Sequence, residues 1–256
     1  MNSINDDFIL KCQSGTPVLY EDICALYPRT LKDIAEIGYE KFRIYLQIIL
    51  AKKPVLEDDK NELNALIDSL SNYQYFLLMT QVDQEFNSYA KEAFMFFCHE
   101  QVTFSTELAQ IIVGPIAEKH IMDEEKFTFF QKMLTRMYFI DNGGQDDIVI
   151  NENDSERVKK LKRTMLKNRE KLARAKAKER QGADGSDLCF SDLIGSFAIG
   201  TQQNLNDVYN LTYYAFQDQL KRMGWKEEYN TNTRAAFAGA KIKKEQLVYW
   251  IRSIKQ

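Results

Sequence analysis

Apolar positions recur at intervals of three and four along most of the chain, the spacing of one face of an α-helix. Leu31, Ile34, Ala35, Phe42, Tyr45, Leu46 and Ile49 set out the first long example. Its start is marked by Pro28-Arg29-Thr30-Leu31-Lys32-Asp33. Thr30 supplies a hydroxyl for a free backbone N–H, and Asp33 can reach back to the cap. Gly38 interrupts the run and Lys52-Lys53-Pro54 ends it. A shorter helix is predicted over 58–70. A second long one is expected over 85–100, with Phe86, Tyr89, Ala90, Ala93, Phe94 and Phe97 on one face. Behind an Asp123 cap, Phe127, Phe130, Leu134, Met137 and Tyr138 define another. Gly15-Thr16-Pro17, Gly114-Pro115 and Asp141-Asn142-Gly143-Gly144 read as breaks. The segment 18–27 fits a short strand or a short helix. Ile111-Ile112-Val113 and Ile148-Val149-Ile150 are a candidate strand pair.

After residue 150 the pattern changes. Residues 156–180 hold twelve Lys/Arg against three Glu, a net of +9 over these 25 positions. The remainder has 22 basic against 34 acidic residues, a net of −12. Val158, Leu161, Met165 and Leu172 leave only a thin apolar stripe in a run without Pro or Gly. Such a segment reads as a long exposed basic helix, ending in the linker Gly182-Ala183-Asp184-Gly185-Ser186. Compact helices follow: 190–199 with a break at Gly200, 208–223, a candidate third over 235–240, and 244–254. In the second, Val208, Leu211, Ala215, Leu220 and Met223 share an inner face. In the last, Leu247, Trp250, Ile251 and Ile254 do so.

Composition supports a mainly helical fold. Four prolines and eleven glycines in 256 residues are few for an all-β chain, which places those residues in turns. The four cysteines form no Cys-x-x-Cys, and with two histidines no zinc site is expected. Sparse cysteine, a polar acidic N-terminus and no apolar run near the ~20 residues of a membrane span point to a soluble cytoplasmic protein.

No motif carries chemistry. His99-Glu100 lacks the second histidine of a metalloprotease helix, since position 103 is Thr103, and His99 reads as an ordinary helix-face residue. His120 is expected to be exposed near a break. No nucleophile elbow, phosphate-binding loop or dinucleotide fingerprint is present. Asp58-Asp59 and Asp146-Asp147 fit solvated turns, so no enzyme and no cofactor are expected. The basic segment 156–180 admits a nucleic-acid reading through phosphate neutralisation, but it holds no aromatic residue on which a base could stack. Tyr209, Tyr213, Tyr214 and Phe216 cannot all face inward on one helix. Either an exposed aromatic patch marks a protein interface, or neighbouring helices cover both sides.

The C-terminal residues carry a family resemblance. Phe190-Ser191-Asp192-Leu193-Ile194-Gly195, the run from Asn206 to Phe216, and Asp218-Gln219-Leu220-Lys221-Arg222-Met223 resemble the C-terminal part of a known group. So do Ala236-Phe237-Ala238-Gly239-Ala240 and Tyr249-Trp250-Ile251-Arg252-Ser253-Ile254. That group is the tail assembly chaperones of long-tailed bacteriophages infecting Gram-positive hosts. Gly15-Thr16-Pro17 with Pro28 to Gly38 and Phe42 is similar to the opening of small proteins from the same tail gene clusters. The resemblance covers about a third of the chain. The middle, 57–185, matches nothing in this pattern.

The resemblance implies a non-enzymatic helical protein that coats the aggregation-prone tape measure protein in the host cytoplasm until tail tube subunits displace it. Complementary apolar helical faces would mask the client, with the tail tube protein as a further partner. The expected architecture is an N-terminal helical body (1–154), an exposed basic connector helix (155–186) and a small C-terminal helical module (187–256), with oligomerisation possible. Tyr209, Leu211, Tyr213, Phe216, Arg222 and Trp250 are the candidate partner-binding residues. Leu211 and Trp250 are equally candidates for holding the module together. Tyr213→Ala with Phe216→Ala is expected to weaken client binding while helical circular dichroism is kept. The alternatives are a structural component retained in the tail, as terminator or baseplate part, and a nucleic-acid-binding accessory protein.

Overall fold

The structure, a computed structural model, describes residues 6–21, 23–53, 67, 69–114, 120–140, 188–243 and 247–251. The expectations for 58–66, 141–144, 148–150, the basic segment 156–180 and the linker at 182–186 therefore lie outside the described residues. What is described is mainly α, as the spacing predicted, with nine helices and two small sheets.

The helices α1 (Asp6–Ser14), α2 (Leu31–Ile37), α3 (Tyr39–Ile49), α4 (Asn72–Val82), α5 (Gln84–Cys98) and α6 (Glu124–Met137) build the first part of the chain. The starts of α2 and α6 follow the capping chemistry read from sequence, and α4 and α5 add caps that the sequence reading did not name. Thr30 accepts from the Asp33 N–H while the Asp33 carboxylate accepts from the Thr30 N–H, a complete capping box. Ser71 and Gln74 form a second box, and Asp83 and Asp123 cap α5 and α6.

Gly38 does more than interrupt a face. Its φ of 88° separates α2 from α3, and one residue thereby serves as C-cap of the first and N-cap of the second. A Cβ at Gly38 would meet nothing within 4 Å. Gly38→Ala is therefore expected to cost only the penalty of holding an L-residue at positive φ with extended ψ, about 1–3 kcal/mol by urea denaturation.

Segment 18–27 is a hairpin, β1 (Val18–Tyr20) against β2 (Cys24–Leu26), with Val18 opposite Leu26. Residues Ile111-Ile112-Val113 do form a strand, but not with the expected partner. Strand β4 (Gln110–Val113) lies between β3 (Val102–Ser105) and β5 (His120–Met122), both antiparallel to it. Both hydrogen-bonding edges of β4 are taken by these two strands. His120 opens β5 and is half-buried rather than exposed.

The core is aromatic. Phe94 and Phe130 stack at 5.2 Å with ring planes 5° apart, and Phe76 and Phe127 lie 4.8 Å apart. Phe42, Phe97 and Tyr138 form an edge-and-tilt triad, with centroids 5.2–6.4 Å apart. Tyr138 donates its hydroxyl to the Tyr27 carbonyl, so the largest polar group in this core is satisfied. Cys12, Cys24 and Cys98 are buried and reduced, whereas Cys189 is exposed.

Burial sets the alkaline limit of the fold. It pushes Cys12, Tyr73 and Tyr214 up to about 12. In the unfolded chain these groups ionise near pH 9 to 10, so the neutral forms favour the folded state below that range. As pH rises from about 9 towards 12 the unfolded chain releases protons that the folded chain retains. The urea midpoint is expected to fall through this window. At pH 8 a disulfide reagent should label Cys189 rapidly and the three buried thiols only on unfolding.

The described C-terminal helices are α7 (Phe190–Thr201), α8 (Leu205–Tyr209) and α9 (Tyr213–Phe237). The chain forms two compact units, one of residues 1–140 with 206–256 and one of residues 141–205. In the second unit, α7 runs past the expected break at Gly200 to Thr201 and ends at Gln202, whose φ is 55°.

The expected helix over 208–223 is two helices broken at Asn210-Leu211, and the expected third helix at 235–240 is the end of α9. Gly224 does not interrupt α9, which continues for 25 residues. No helix is found at 247–251, where 244–254 was expected to be helical. Of the expected inner face, Val208 and Ala215 are buried while Leu220 and Met223 are half-buried. The break at Thr212 resets the register of everything after it.

Candidate partner-binding surface

The C-terminal segment joins the N-terminal helices of its unit through a pair of helix caps. Thr30, which caps α2, and Thr212, which caps α9, form an antiparallel bridge. Leu31 N–H donates to the Leu211 carbonyl at 2.9 Å, and Tyr213 N–H donates to the Arg29 carbonyl at 2.8 Å. The first N–H groups of each helix, which have no partner within their own helix, are thereby satisfied by the other cap strand. The Thr212 hydroxyl donates to the Cys12 carbonyl at 2.7 Å and accepts from Ala215 N–H at 3.0 Å.

This junction decides the roles of the candidate residues. Phe216 is fully buried, and Tyr214 and Ala215 beside it are buried as well. Tyr213 packs against Phe42 and Tyr138, with centroids 5.4 and 5.8 Å away, and Tyr214 against Phe139 at 4.7 Å. Tyr213 and Phe216 therefore do not form an exposed patch. Alanine at these positions removes core, and the expectation of an unaffected fold is corrected. Leu211, half-buried, gives its carbonyl to the cap junction. Arg222 donates Nε to both oxygens of Asp218 at 3.1 Å, and Gln13 donates to the same carboxylate. Asp218 is only 6% exposed, so Arg222 neutralises a buried charge within the fold. Tyr209 is half-buried, on α8.

Trp250 lies elsewhere. Beyond Asp218 no residue of α9 is buried, although the helix continues for five more turns. Segment 247–251 returns along this distal half. Tyr249 meets Tyr229 edge-on at 5.5 Å, and Lys226 sits 6.0 Å from the Trp250 ring. Lys221 likewise lies 5.8 Å from the Trp225 ring. Phe237, 89% exposed, ends the helix, and Val248, Tyr249 and Ile251 are also exposed. The surface is a band in which rings lie beside cations, with Lys221 near Trp225 and Lys226 near Trp250. Of the candidate residues, Trp250 belongs to this band, while Tyr229, Phe237 and Tyr249 join it unanticipated. Their signal was present in the sequence: after Asp218 no single helical face collects the apolar positions.

Two other features bear on chemistry. His99 is the left-handed C-cap of α5, with φ 58°, not a residue within a helical face. Its ring meets Tyr27 edge-on at 4.4 Å and its Nε2 lies 3.0 Å from Arg29 Nη2. Partial burial, followed by the adjacent guanidinium, lowers its pKa. Arg29 also donates to the Phe96 carbonyl and lies against the Phe96 ring, 4.8 Å from its centroid. This cluster ties α5 to the cap junction. Among the described residues no group of three or more metal-ligating side chains converges, and no helix is long and apolar enough to cross a membrane.

No curated protein and no solved structure matches the chain. Residues 177–255 match the model of a phage-associated domain family, YomV second domain. The match takes in α7, α8 and the whole of α9 with its aromatic band, so it spans both compact units.

Proposed function

We propose that the chain is a phage tail assembly chaperone that binds the tape measure protein in the host cytoplasm before the tail tube polymerises. The observation that carries this reading is the exposed aromatic and cationic band on distal α9 and 247–251, which lies within the residues matching a phage-associated domain family. A long helical client with unpaired apolar faces requires a reversible cover. Scattered rings, Phe237 and Tyr249 exposed and Trp225 and Tyr229 half-buried, supply contact area without one large dry interface. The residues of the site are accordingly those of the band, with Trp250 retained from the sequence reading and Tyr213, Phe216 and Arg222 supporting it from within the fold. The reading assigns no reaction and no cofactor.

Mass spectrometry of purified tails beside infected-cell lysate tests this reading. Presence in the lysate and absence from tails is the expected result. A stoichiometric component of the tails would replace the chaperone with a structural tail protein.

A further inference from the structure

We propose that the aromatic and cationic band binds the acidic patch around the β1–β2 hairpin and the α6 N-terminus of a second copy of this chain, in a head-to-tail contact. Both halves of this complementarity are present. Among the described residues after Asp218, the basic side chains are Lys221, Arg222, Lys226, Arg234, Lys241 and Lys243 and the acidic ones Glu227 and Glu228, with Arg222 bonded to Asp218. The opposite charge lies at the other end of the sequence, where residues 1–155 carry 13 basic against 26 acidic side chains.

The acidic patch has a defined shape. Tyr20 donates its hydroxyl to the Lys126 carbonyl at 2.9 Å, and its ring lies 5.5 Å from Phe129, which fixes the hairpin to α6. Between them opens a cleft of about 450 Å³, with Glu21, Asp123 and Glu125 on its rim and Tyr20 and Phe129 in its wall. Two cations, Lys126 and Lys132, also line it. Lys126 donates Nζ to the Ile121 carbonyl at 3.3 Å. Glu124 adds a further exposed carboxylate on the first turn of α6. Leu19 on the hairpin and Ile121 before the helix are 69% and 46% exposed. A polar rim around exposed apolar side chains is the counterpart that rings flanked by lysines require. Because the two surfaces differ, the contact is heterologous, and each copy retains one unused face for the next. The inference is independent of the client's identity, and a reversible contact of this kind is open to displacement by a client.

Both tryptophans of the chain, Trp225 and Trp250, lie in the band, so intrinsic fluorescence reads it without a label. The test is analytical ultracentrifugation of the full chain, with tryptophan emission recorded alongside. At low salt the expected result is growth beyond a dimer with concentration, with a blue shift in emission. The association constant should fall about tenfold or more between roughly 0.05 M and 0.5 M salt. The triple variants K221Q/K226Q/R234Q and E21Q/E124Q/E125Q, checked for retained helical circular dichroism, should each sediment as monomers. Mixed, they should form a 1:1 pair that grows no further, since one intact band then meets one intact patch. A wild-type chain that stays monomeric at low salt overturns the proposal. So do folded variants that associate like the wild type, a mixture that remains monomeric, or a monomer whose tryptophans respond only to a single-stranded oligonucleotide.

Discussion

Phe216→Ala is expected to destabilise the folded chain by about 3–5 kcal/mol, whereas Phe237→Ala in the same helix should change stability by less than about 0.5 kcal/mol. The two residues have the same chemistry and lie on one continuous helix, but Phe216 is 0% exposed and Phe237 is 89% exposed. Truncating Phe216 removes a fully buried ring and leaves a cavity that its surroundings close only in part. Truncating Phe237 removes surface already in water. Urea denaturation followed by far-ultraviolet circular dichroism measures both changes. Equal effects would contradict the division of α9 into a buried first part and an unburied second. In a partner-binding assay the order should reverse, since only the exposed ring is available to a second molecule.

Thr212→Val is expected to cost about 2–3 kcal/mol although it preserves side-chain shape. The hydroxyl it deletes makes two bonds, donating to the Cys12 carbonyl at 2.7 Å and accepting from Ala215 N–H at 3.0 Å. Thr212 is 4% exposed, so water is poorly placed to replace either bond. A lost N-cap accounts for about 1 kcal/mol and the stranded buried carbonyl for the rest. Thr212→Ser separates the hydroxyl from the methyl. It keeps both bonds and should lose no more than about 1 kcal/mol. A loss in Ser with none in Val would show that the methyl, not the cap, secures α9. Hydrogen exchange at Leu31 and Tyr213 should accelerate in the Val variant, because their N–H groups close the same junction.

These effects arise where sequence reasoning met its limit. Helix starts were legible because capping is local: Thr30 and Asp33 are three residues apart, and their reciprocal bonds follow from that spacing. The core faces of α3, α5 and α6 were legible for a related reason. Phe94, Phe97, Phe127 and Phe130 follow the helical period whatever they pack against. The hairpin remained ambiguous between strand and helix, because three-residue strands are too short to establish a period of two.

The site was less legible. Read along one continuous helix from 208, Tyr213 and Phe216 cannot be sorted into core and surface. The break before Thr212 sorts them, and its bonding partners lie about 180 residues away in sequence, at Arg29 and Leu31. Arg222 was read as a partner-binding residue, whereas the fold buries its counter-ion Asp218, which also accepts from Gln13 on α1. The pairing of β4 was misread for the same reason, since both of its true neighbours are fixed by the fold rather than by apolar composition.

By itself, then, the sequence determined the helical class, the caps at Thr30 and Asp123, the aromatic faces that form the core and the contrast between the basic segment 156–180 and the acidic remainder. All of these depend on residues within a few positions of one another, or on composition. Tertiary structure alone decided which aromatics of the C-terminal segment are interior. It did so through the Thr30–Thr212 bridge, where the unsatisfied N–H groups of two distant helix starts complete each other and set the register of α9.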